Sequence, residues 1–356
     1  MRSPDQIQGE MFGYRTLESY VPADHPLRAL RAIVDAALAE PQPRLAQAYS
    51  RRGRPSVVPE QMVRALLLQL LYSVRSERRL MMELEAHMAW RWFVGLEINQ
   101  PAWDASSFSK NRQRFLNAHL AQQMLAAVVR EAQRRQLLSE EYFTVDGTLI
   151  EAWASEKSYQ PRPDPPAPGA GSGRRGEWLK RDLYFSRTDP EAQLYRKSKR
   201  EKWRLAHLGH ALSDQRHGLI VETEVTGCSP KAERRAAINM IKRLGKRRLK
   251  PRAVAADRAY NERDFVVKMQ RLNIEPHVPA YRSGRGYLKL DPALAERIAE
   301  SQRKRRRIES CFSWLKNVAG LRKTKLRGHR RVRWLWALAA VAYNAVRMSR
   351  LKMPLA

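Results

Sequence analysis

Apolar residues recur every three or four positions through the first third of the chain, and this spacing predicts amphipathic helices. One helix is indicated over residues 24–39, where Asp24-His25-Pro26 forms a cap-like opening. A second begins at Pro59, and Ser76 can cap a third. We therefore predict an all-helical N-terminal domain over residues 1–138.

Two helices of this domain are separated by a turn from Gly95 to Trp103, and the second of them is basic. This arrangement is compatible with a helix-turn-helix-like DNA reader. An ordinary helical bundle with solvated charges would give the same pattern. The sequence thus leaves DNA binding and dimerisation as possible roles of the domain.

The pattern changes near Glu141, where strand-forming residues replace the helical spacing. Residues 142–145 predict a strand that stops at Asp146-Gly147, and residues 148–153 predict a second strand that forms a hairpin with the first. A Pro- and Gly-rich stretch follows. We expect a flexible insertion at about 155–204.

Beyond this insertion, residues 205–212 and 219–226 predict two paired strands. Helices then alternate with short buried strands at 253–256 and 274–278. A meander followed by such alternation predicts a mixed α/β domain, with a mixed sheet flanked by helices. We place this domain at residues 139–350.

The net charge limits the class of partner that the protein can bind. The chain has 67 Lys and Arg residues and 36 Asp and Glu residues, which gives a net charge of +31. Such an excess favours a polyphosphate partner. Membrane-surface binding is the alternative, but the basic residues are not gathered on one amphipathic anchor. The two cysteines form no CxxC pair, and no secretory signal is apparent. We expect an intracellular protein without a membrane partner.

Three acids have contexts that favour metal-dependent chemistry. Asp146 and Asp257 each follow a predicted strand, and Glu309 lies in a strongly basic helix. Rigidly placed carboxylates are suitable ligands for a pair of divalent ions that act on a phosphodiester. Taken singly, an Asp after a strand is more often a turn former or a helix cap.

The helix around Glu309 is the most informative of the three segments. Arg305, Glu309 and Lys316 have offsets of four and eleven residues, so they fall within roughly 40° of one another on a helix surface. A solvated ion-pair ladder would explain Arg305 and Glu309 alone. An adjacent apolar stripe would dock the helix on the sheet: Ile308, Cys311, Phe312 and Leu315.

These segments together resemble the bacterial insertion-sequence transposases of the DDE superfamily, whose core is RNase H-like. Residues 144–148 (Thr-Val-Asp-Gly-Thr) match the segment of the first family acid, and residues 255–260 (Ala-Ala-Asp-Arg-Ala-Tyr) match the second. Residues 305–316 resemble the tyrosine, arginine, glutamate, lysine signature. Gln302 stands at the position of the tyrosine, which is a departure from that signature.

The resemblance implies that Asp146, Asp257 and Glu309 ligate two Mg²⁺ or Mn²⁺ ions. It implies cleavage of double-stranded DNA at the terminal inverted repeats of a transposon and strand transfer into target DNA. Arg305 and Lys316 would hold phosphates beside the metals. A homodimer or larger assembly in the bacterial cytoplasm, associated with the nucleoid when bound to DNA, would carry out this reaction.

Two other functions are compatible with the same residues. One is a metal-dependent nuclease of the same fold that lacks strand transfer, and the other is an inert DNA-binding descendant of a transposase. Both predict salt-sensitive DNA binding.

The last part of the chain is basic and then apolar. We interpret Arg322, Lys323, Lys325 and Arg327 as phosphate-contacting residues, although a solvated loop is the alternative. The apolar helix predicted at 334–346 can close the core or form a dimer contact.

Overall fold

The structure of the protein is a computed structural model. It describes residues 15–40, 57–117, 120–139, 141–164, 183–196, 201–229, 231–281, 286–288 and 291–351, with the backbone alone for 114–117. Most of the Pro- and Gly-rich stretch, residues 165–182, lies outside these ranges.

The described N-terminal part of the chain is entirely helical, as the sequence predicts. Ser76 caps its helix by accepting a hydrogen bond from the amide of Arg79 at 3.1 Å. Asp104 caps another through the amides of Ser106 and Ser107. The helices are α1 (Leu17–Tyr20), α2 (Pro26–Ala39), α3 (Pro59–Leu71), α4 (Glu77–Ala86), α5 (Met88–Val94), α6 (Ala105–Asn117) and α7 (Leu120–Arg134).

A mixed sheet forms the centre of the remaining chain, and β1 (Tyr142–Ala152) is its central strand. Its five principal strands have the spatial order β6-β5-β1-β7-β8. The first three are antiparallel, whereas β7 is parallel to β1 and β8 is parallel to β7. The other strands are β2 (Tyr159–Pro161), β3 (Tyr184–Ser186), β4 (Gln193–Tyr195), β5 (Arg204–Asp214), β6 (Ile220–Thr226), β7 (Ala253–Ala255), β8 (Glu275–His277) and β9 (Lys323–Thr324).

The hairpin predicted at Asp146-Gly147 is wrong, because residues 142–152 form one continuous strand. β5 pairs with it antiparallel without interruption from Phe143 to Glu151. This long ladder overrides the local turn preference of Asp-Gly, since a turn there would break the pairing on both sides. Asp146 is therefore an interior residue of β1.

Four further helices flank the sheet, which confirms the predicted mixed sheet flanked by helices. They are α8 (Ala232–Lys246), α9 (Arg263–Arg271), α10 (Pro292–Asn317) and α11 (His329–Arg350). No described helix combines the length and the apolar character needed to span a bilayer.

The last helix, α11, closes the core. It packs against α7, α2 and β6, and it buries Trp336, among others, completely. Asn344 of α11 accepts a hydrogen bond from the amide of Ile220 and donates one to its carbonyl, at 2.8 and 2.7 Å. Buried residues of the N-terminal helices and of the sheet thereby form one apolar cluster.

The described ends of the predicted insertion carry regular structure. β2 and β3 pair with each other, and β4 adds to β5. Asp189 is 1% exposed, and it binds His207 of β5 and the amide of Gly328. The C-terminal end of the insertion is thus joined to the main sheet through β4, whereas β2 and β3 form a separate two-stranded sheet.

Candidate active site

The sheet brings Asp146 and Asp257 together at a point where two strands separate. The parallel pairing of β1 with β7 ends at Thr144 and Ala255, so each acid lies two residues beyond the last pair. Neighbouring strands are roughly 4.8 Å apart, and residues two apart share a face of the sheet. The register therefore puts Asp146 and Asp257 at corresponding positions just beyond the paired part of β1 and β7.

Both oxygens of the Asp146 carboxylate accept hydrogen bonds within the protein. Oδ1 accepts from the amide of Gly147 at 2.8 Å, and Oδ2 accepts from Nη1 of Arg305 at 3.0 Å. The side chains of Asp146 and Arg305 are 17% and 18% exposed. Partial burial strengthens such an ion pair relative to one in bulk water. Arg305, predicted to act beside the acids, thus contacts one of them directly.

Gln302 anchors α10 at the same strand ends. Its Nε2 donates to the carbonyls of Ala256 and His277, both at 2.9 Å, and its Oε1 accepts from Nε of Arg305 at 3.3 Å. Ala256 directly precedes Asp257. The residue that departs from the family signature therefore fixes the helix beside the second acid.

Glu309 and Lys316 follow on the same side of α10, which is continuous from Pro292 to Asn317. At 1.5 Å per residue, Glu309 lies about 6 Å from Arg305 along the helix axis, and Lys316 lies about 16 Å from it. Glu309 is exposed and Lys316 is half-buried. The predicted apolar stripe is confirmed: Ile308, Cys311, Phe312 and Leu315 are all buried.

Asp257 also has a local structural role. It is half-buried, and its Oδ1 accepts from the amide of Ala259 at 2.8 Å, which caps the 3-10 helix Arg258–Tyr260. Among the described residues, no group of three His, Cys, Asp or Glu side chains could hold a metal ion as placed. Arg305 occupies Oδ2 of Asp146, and the side chain of Glu309 is exposed to solvent.

Two residues to which the sequence analysis gives no role lie near the aspartates: Glu233 approaches Gly147, and Tyr260 ends the 3-10 helix that Asp257 caps. Tyr260 is fully buried, and its hydroxyl has no hydrogen-bond partner in the described part of the chain. Burial raises the pKa of Tyr260 well above its usual value, and the charges of Glu233, Asp146 and Asp257 raise it further, against Arg305, which lowers it. Long-range packing is needed to reveal both residues, because Glu233 belongs to no motif in the sequence. Tyr260 ends the segment that matches the second family acid, but that match alone gives it no role and does not predict its burial.

The predicted phosphate-contacting residues lie near the C-terminal end of β1. β9 pairs with β1 at Glu151 and Ala152, which are about 17 to 20 Å along the strand from Asp146. The amino groups of Lys323 and Lys325 lie 5.1 and 5.4 Å from the centre of the Trp153 ring. The basic segment, Arg322, Lys323, Lys325 and Arg327, is exposed throughout.

Among solved structures, the chain is similar to three complexes of Mos1 transposase, each with low identity. The paired-end complex with the left transposon end is 12% identical, with 86% of this chain and 83% of that chain covered and a TM-score of 0.22. The pre-cleavage transpososome has 11% identity, coverages of 86% and 83%, and a TM-score of 0.21. The strand transfer complex has 12% identity, coverages of 78% and 82%, and a TM-score of 0.20. No curated protein matches the chain.

Two family models match the sequence. The model described as "Transposase domain (DUF772)" matches residues 15–114, which lie within the helical part. The model described as "Transposase DDE domain" matches residues 145–345, more than half of the chain, and this range includes Asp146, Asp257 and Glu309. The chain belongs to the DDE transposase family.

Proposed function

We propose that this transposase cleaves double-stranded DNA at the terminal inverted repeats of its element and joins the freed ends to target DNA. Asp146, Asp257 and Glu309 are the proposed metal ligands. One observation carries this assignment. α10 binds Asp146 through Arg305 and the residue after β7 through Gln302, and Glu309 lies one helical turn after Arg305 on the same side of this helix.

The donor chemistry of the three acids suits a pair of Mg²⁺ or Mn²⁺ ions. Carboxylate oxygens are the ligands that such hard cations prefer. Asp146 and Asp257 lie on a rigid sheet, and Glu309 lies on a helix that Gln302 fixes to that sheet. Bound divalent ions would activate the attacking oxygen and stabilise the leaving oxygen of the phosphodiester.

Arg305 has two successive partners in this proposal. In the absence of DNA, Arg305 forms an ion pair with Asp146, which offsets the desolvation cost of that half-buried carboxylate. A DNA phosphate competes for the guanidinium, because arginine binds phosphate oxygens with good geometry. Transfer of Arg305 to the phosphate releases Oδ2 of Asp146 for metal binding. The site would then be completed where DNA is bound.

The basic segment and the helical part are the proposed DNA-binding surfaces. Arg322, Lys323, Lys325 and Arg327 would contact phosphates, since their charges are exposed and DNA binding is largely a matter of phosphate neutralisation. Lys316 lies on α10 between this segment and Arg305, and it would hold a phosphate beside the metals.

We further propose the division of labour that the sequence predicts. Residues 1–138 would bind DNA or mediate dimerisation, and residues 139–350 would carry the chemistry, with the insertion at about 155–204. Two transposon ends must be processed together, so we propose a homodimer or larger assembly on the DNA.

The decisive experiment incubates the purified full chain with a labelled duplex that carries the end of its own element and with Mg²⁺. We expect nicking and joined product from the natural chain and neither from Asp257→Ala, with DNA binding retained. Loss of a direct metal ligand should reduce cleavage at least about 100-fold, since even outer partners of metal ligands are worth about 10 to 100-fold.

The matched control is Glu296→Gln, which changes an exposed acid on α10 and should leave cleavage intact. Nicking without joined product would favour a nuclease of the same fold. Tight binding of the correct end without metal-dependent cleavage would favour an inert DNA-binding descendant. Cleavage by Asp257→Ala at the natural rate would contradict the assigned site.

A further inference from the structure

An open cavity of about 520 Å³ lies between the start of α8 and one side of α9. Its wall on α9 runs from Arg263 to Arg271, and Lys231 and Arg234 line it from the beginning of α8. α8 leads into β7 and α9 follows it, so both helices begin at the carboxyl end of that strand. Ligands of open α/β sheets bind in crevices at this end of the strands.

Hydrogen bonds of Arg234 tie this cavity to the turn that carries Asp257. Nη1 of Arg234 donates to the carbonyl of Ala259 at 3.3 Å, and its Nε donates to Oδ1 of Asp264 at 3.0 Å. The amide of the same Ala259 donates to Oδ1 of Asp257 at 2.8 Å. The cavity therefore adjoins the turn that bears one of the proposed metal ligands.

The cavity wall is strongly basic. Arg234 is paired with Asp264, and Glu262 is the one other acid of the wall. Four more cationic side chains line it, and within the described part of the chain none of them forms a salt bridge or a side-chain hydrogen bond: Lys231, Arg263, Lys268 and Arg271. The wall thus keeps an excess of positive charge that the protein does not neutralise.

The position of these cations opposes the stability of the two helices. Lys231 directly precedes α8, and Arg263 is the first residue of α9. A helix N-terminus carries partial positive charge, so cations are unfavourable there. The other end of α8 shows the favourable arrangement, with Arg243 and Lys246 in its last turn. A solvated surface alone does not explain why like charges gather in a concavity at two helix N-termini.

The shape and composition of the wall fit the backbone of a nucleic acid strand. Arg263 and Arg271 are eight residues apart, which is about 12 Å along α9. Phosphates of one DNA strand follow each other every 3.4 Å or so along the helix axis, so a wall of this length spans several of them. Val267 is the one apolar residue of the wall, which has no aromatic ring on which a base could stack.

We propose that this cavity binds the phosphate backbone of DNA beside the metal centre. Arg263, Lys268 and Arg271 contact successive phosphates, and Arg234 positions the wall against the turn of Asp257. This inference rests on the proposed function, because the DNA in the cavity is a substrate of that centre. A transposon end and a target duplex offer the same phosphates, and the experiment distinguishes them.

The test measures DNA binding by the full chain without divalent metal, as a function of salt. The cavity variant combines Arg263→Ala, Lys268→Ala and Arg271→Ala. Its control combines Lys242→Ala, Lys246→Ala and Lys250→Ala, which removes equal charge at and beyond the opposite end of α8. One arm uses the labelled end duplex. The other adds a labelled random-sequence duplex to protein already saturated with the end duplex.

We expect the cavity variant to have a shallower slope of log affinity against log salt, by up to about 2.7, or roughly 0.9 for each lost phosphate contact. The control should change the slope by less than about 0.9. A loss in the first arm assigns the cavity to the transposon end, and a loss in the second arm alone assigns it to target DNA. A cavity variant that keeps the slope of its control in both arms overturns the inference.

A second variant, Glu262→Gln, guards against a folding defect in the cavity variant. Glu262 is an exposed acid of the wall, and its side chain does not cap α9. Removal of its charge should strengthen DNA binding about two- to five-fold, because its repulsion of nearby phosphates is lost. A misfolded protein would not bind DNA more tightly. Unchanged affinity, equal to that of Glu296→Gln, would contradict the cavity site even if the cavity variant fails to fold.

Melting temperatures and cleavage separate this inference from the proposed function. The cavity variant should melt at or above the temperature of the natural chain, because it loses like charges at a helix N-terminus. If Asp257→Ala cleaves the end duplex at the natural rate, the metal assignment is wrong, while the metal-free binding data still decide whether the cavity holds phosphates. If the cavity variant binds like its control and Asp257→Ala is inactive, the metal centre stands without this site.

Discussion

Two regions of β1 carry the two kinds of chemistry proposed for this protein, and they are built differently: the acidic region around Asp146 lies in the middle of the strand, and the basic region around Glu151 lies near its C-terminal end. Around Asp146 the side chains are half-buried and hydrogen-bonded, and they come from β1, β7 and α10. Around Glu151 the basic segment is exposed, and its lysines rest on Trp153. Metal chemistry needs ligands held in place, whereas phosphate binding depends mainly on the amount of positive charge. The acidic and the basic region should therefore respond differently to substitution.

Among these substitutions, the largest effect on cleavage is expected in the acidic region, from Arg305→Ala. Cleavage should fall about 10 to 100-fold, as for other outer partners of metal ligands. Mn²⁺ binding without DNA should become tighter, because Oδ2 of Asp146 loses its ion pair. The control is Arg306→Ala, which removes the same charge from the exposed side of α10. Weaker Mn²⁺ binding by Arg305→Ala in the absence of DNA would contradict the exchange of partners proposed for Arg305.

In the basic region, we expect a smaller effect, on DNA affinity, that is similar for all DNA sequences. Lys323→Ala, Lys325→Ala and Arg327→Ala together should lower DNA affinity similarly for all sequences. The slope of log affinity against log salt should become shallower by roughly 0.9 for each phosphate that the variant no longer neutralises. Cleavage at saturating DNA should stay close to the natural rate, because Asp146 is about 17 Å or more away along the strand.

The charge-matched control for this variant is the triple change of Lys242, Lys246 and Lys250 to Ala, three exposed residues of and after α8. If both triple variants change the salt slope equally, the DNA does not distinguish the basic segment from the rest of the surface, and the solvated-loop interpretation would gain support.

The sequence could predict the part of the site that depends on short patterns along the chain, and not the part that depends on pairing between distant strands. Asp146, Asp257 and Glu309 could be predicted as candidate metal ligands because each stands in a short pattern along the chain. The same local pattern predicted a turn at Asp146-Gly147, because the pairing of β5 with β1 from Phe143 to Glu151 is not visible in a short segment. The position of Asp146 follows from where β7 ends, which is a property of the sheet.

Gln302, Glu233 and Tyr260 show the same limit at the level of single side chains. Gln302 is a departure from a signature, and its hydrogen bonds to Ala256 and His277 exist only once α10 docks on the strand ends. The burial of Tyr260 and the approach of Glu233 to Gly147 likewise depend on packing between distant segments. By contrast, the apolar faces of the helices could be predicted, because they follow the period of the helix.

The smallest effect is expected from Asp189→Asn, which acts where the basic segment ends. Asp189 accepts from the amide of Gly328 at 3.2 Å and contacts Nε2 of His207 at 3.1 Å. Burial alone would raise the pKa of Asp189, but the hydrogen bond and charge of His207 and the amide of Gly328 outweigh it, so the pKa is lowered. The variant should lose about 1 to 3 kcal/mol of unfolding free energy at neutral pH, because the buried His207 loses the carboxylate that it contacts.

The pH dependence of that loss gives the sharper measurement. A carboxyl whose pKa is lowered on folding contributes stability that is present above its unfolded pKa, near 3.8, and is lost as the pH falls through the folded pKa. The difference in melting temperature between the natural chain and Asp189→Asn should therefore be constant at neutral pH and shrink below about pH 4. A difference that persists unchanged into strong acid would mean that Asp189 acts by its shape and not by its charge. The basic segment would then be anchored without electrostatics, in contrast to the ion pair between Arg305 and Asp146 in the middle of β1.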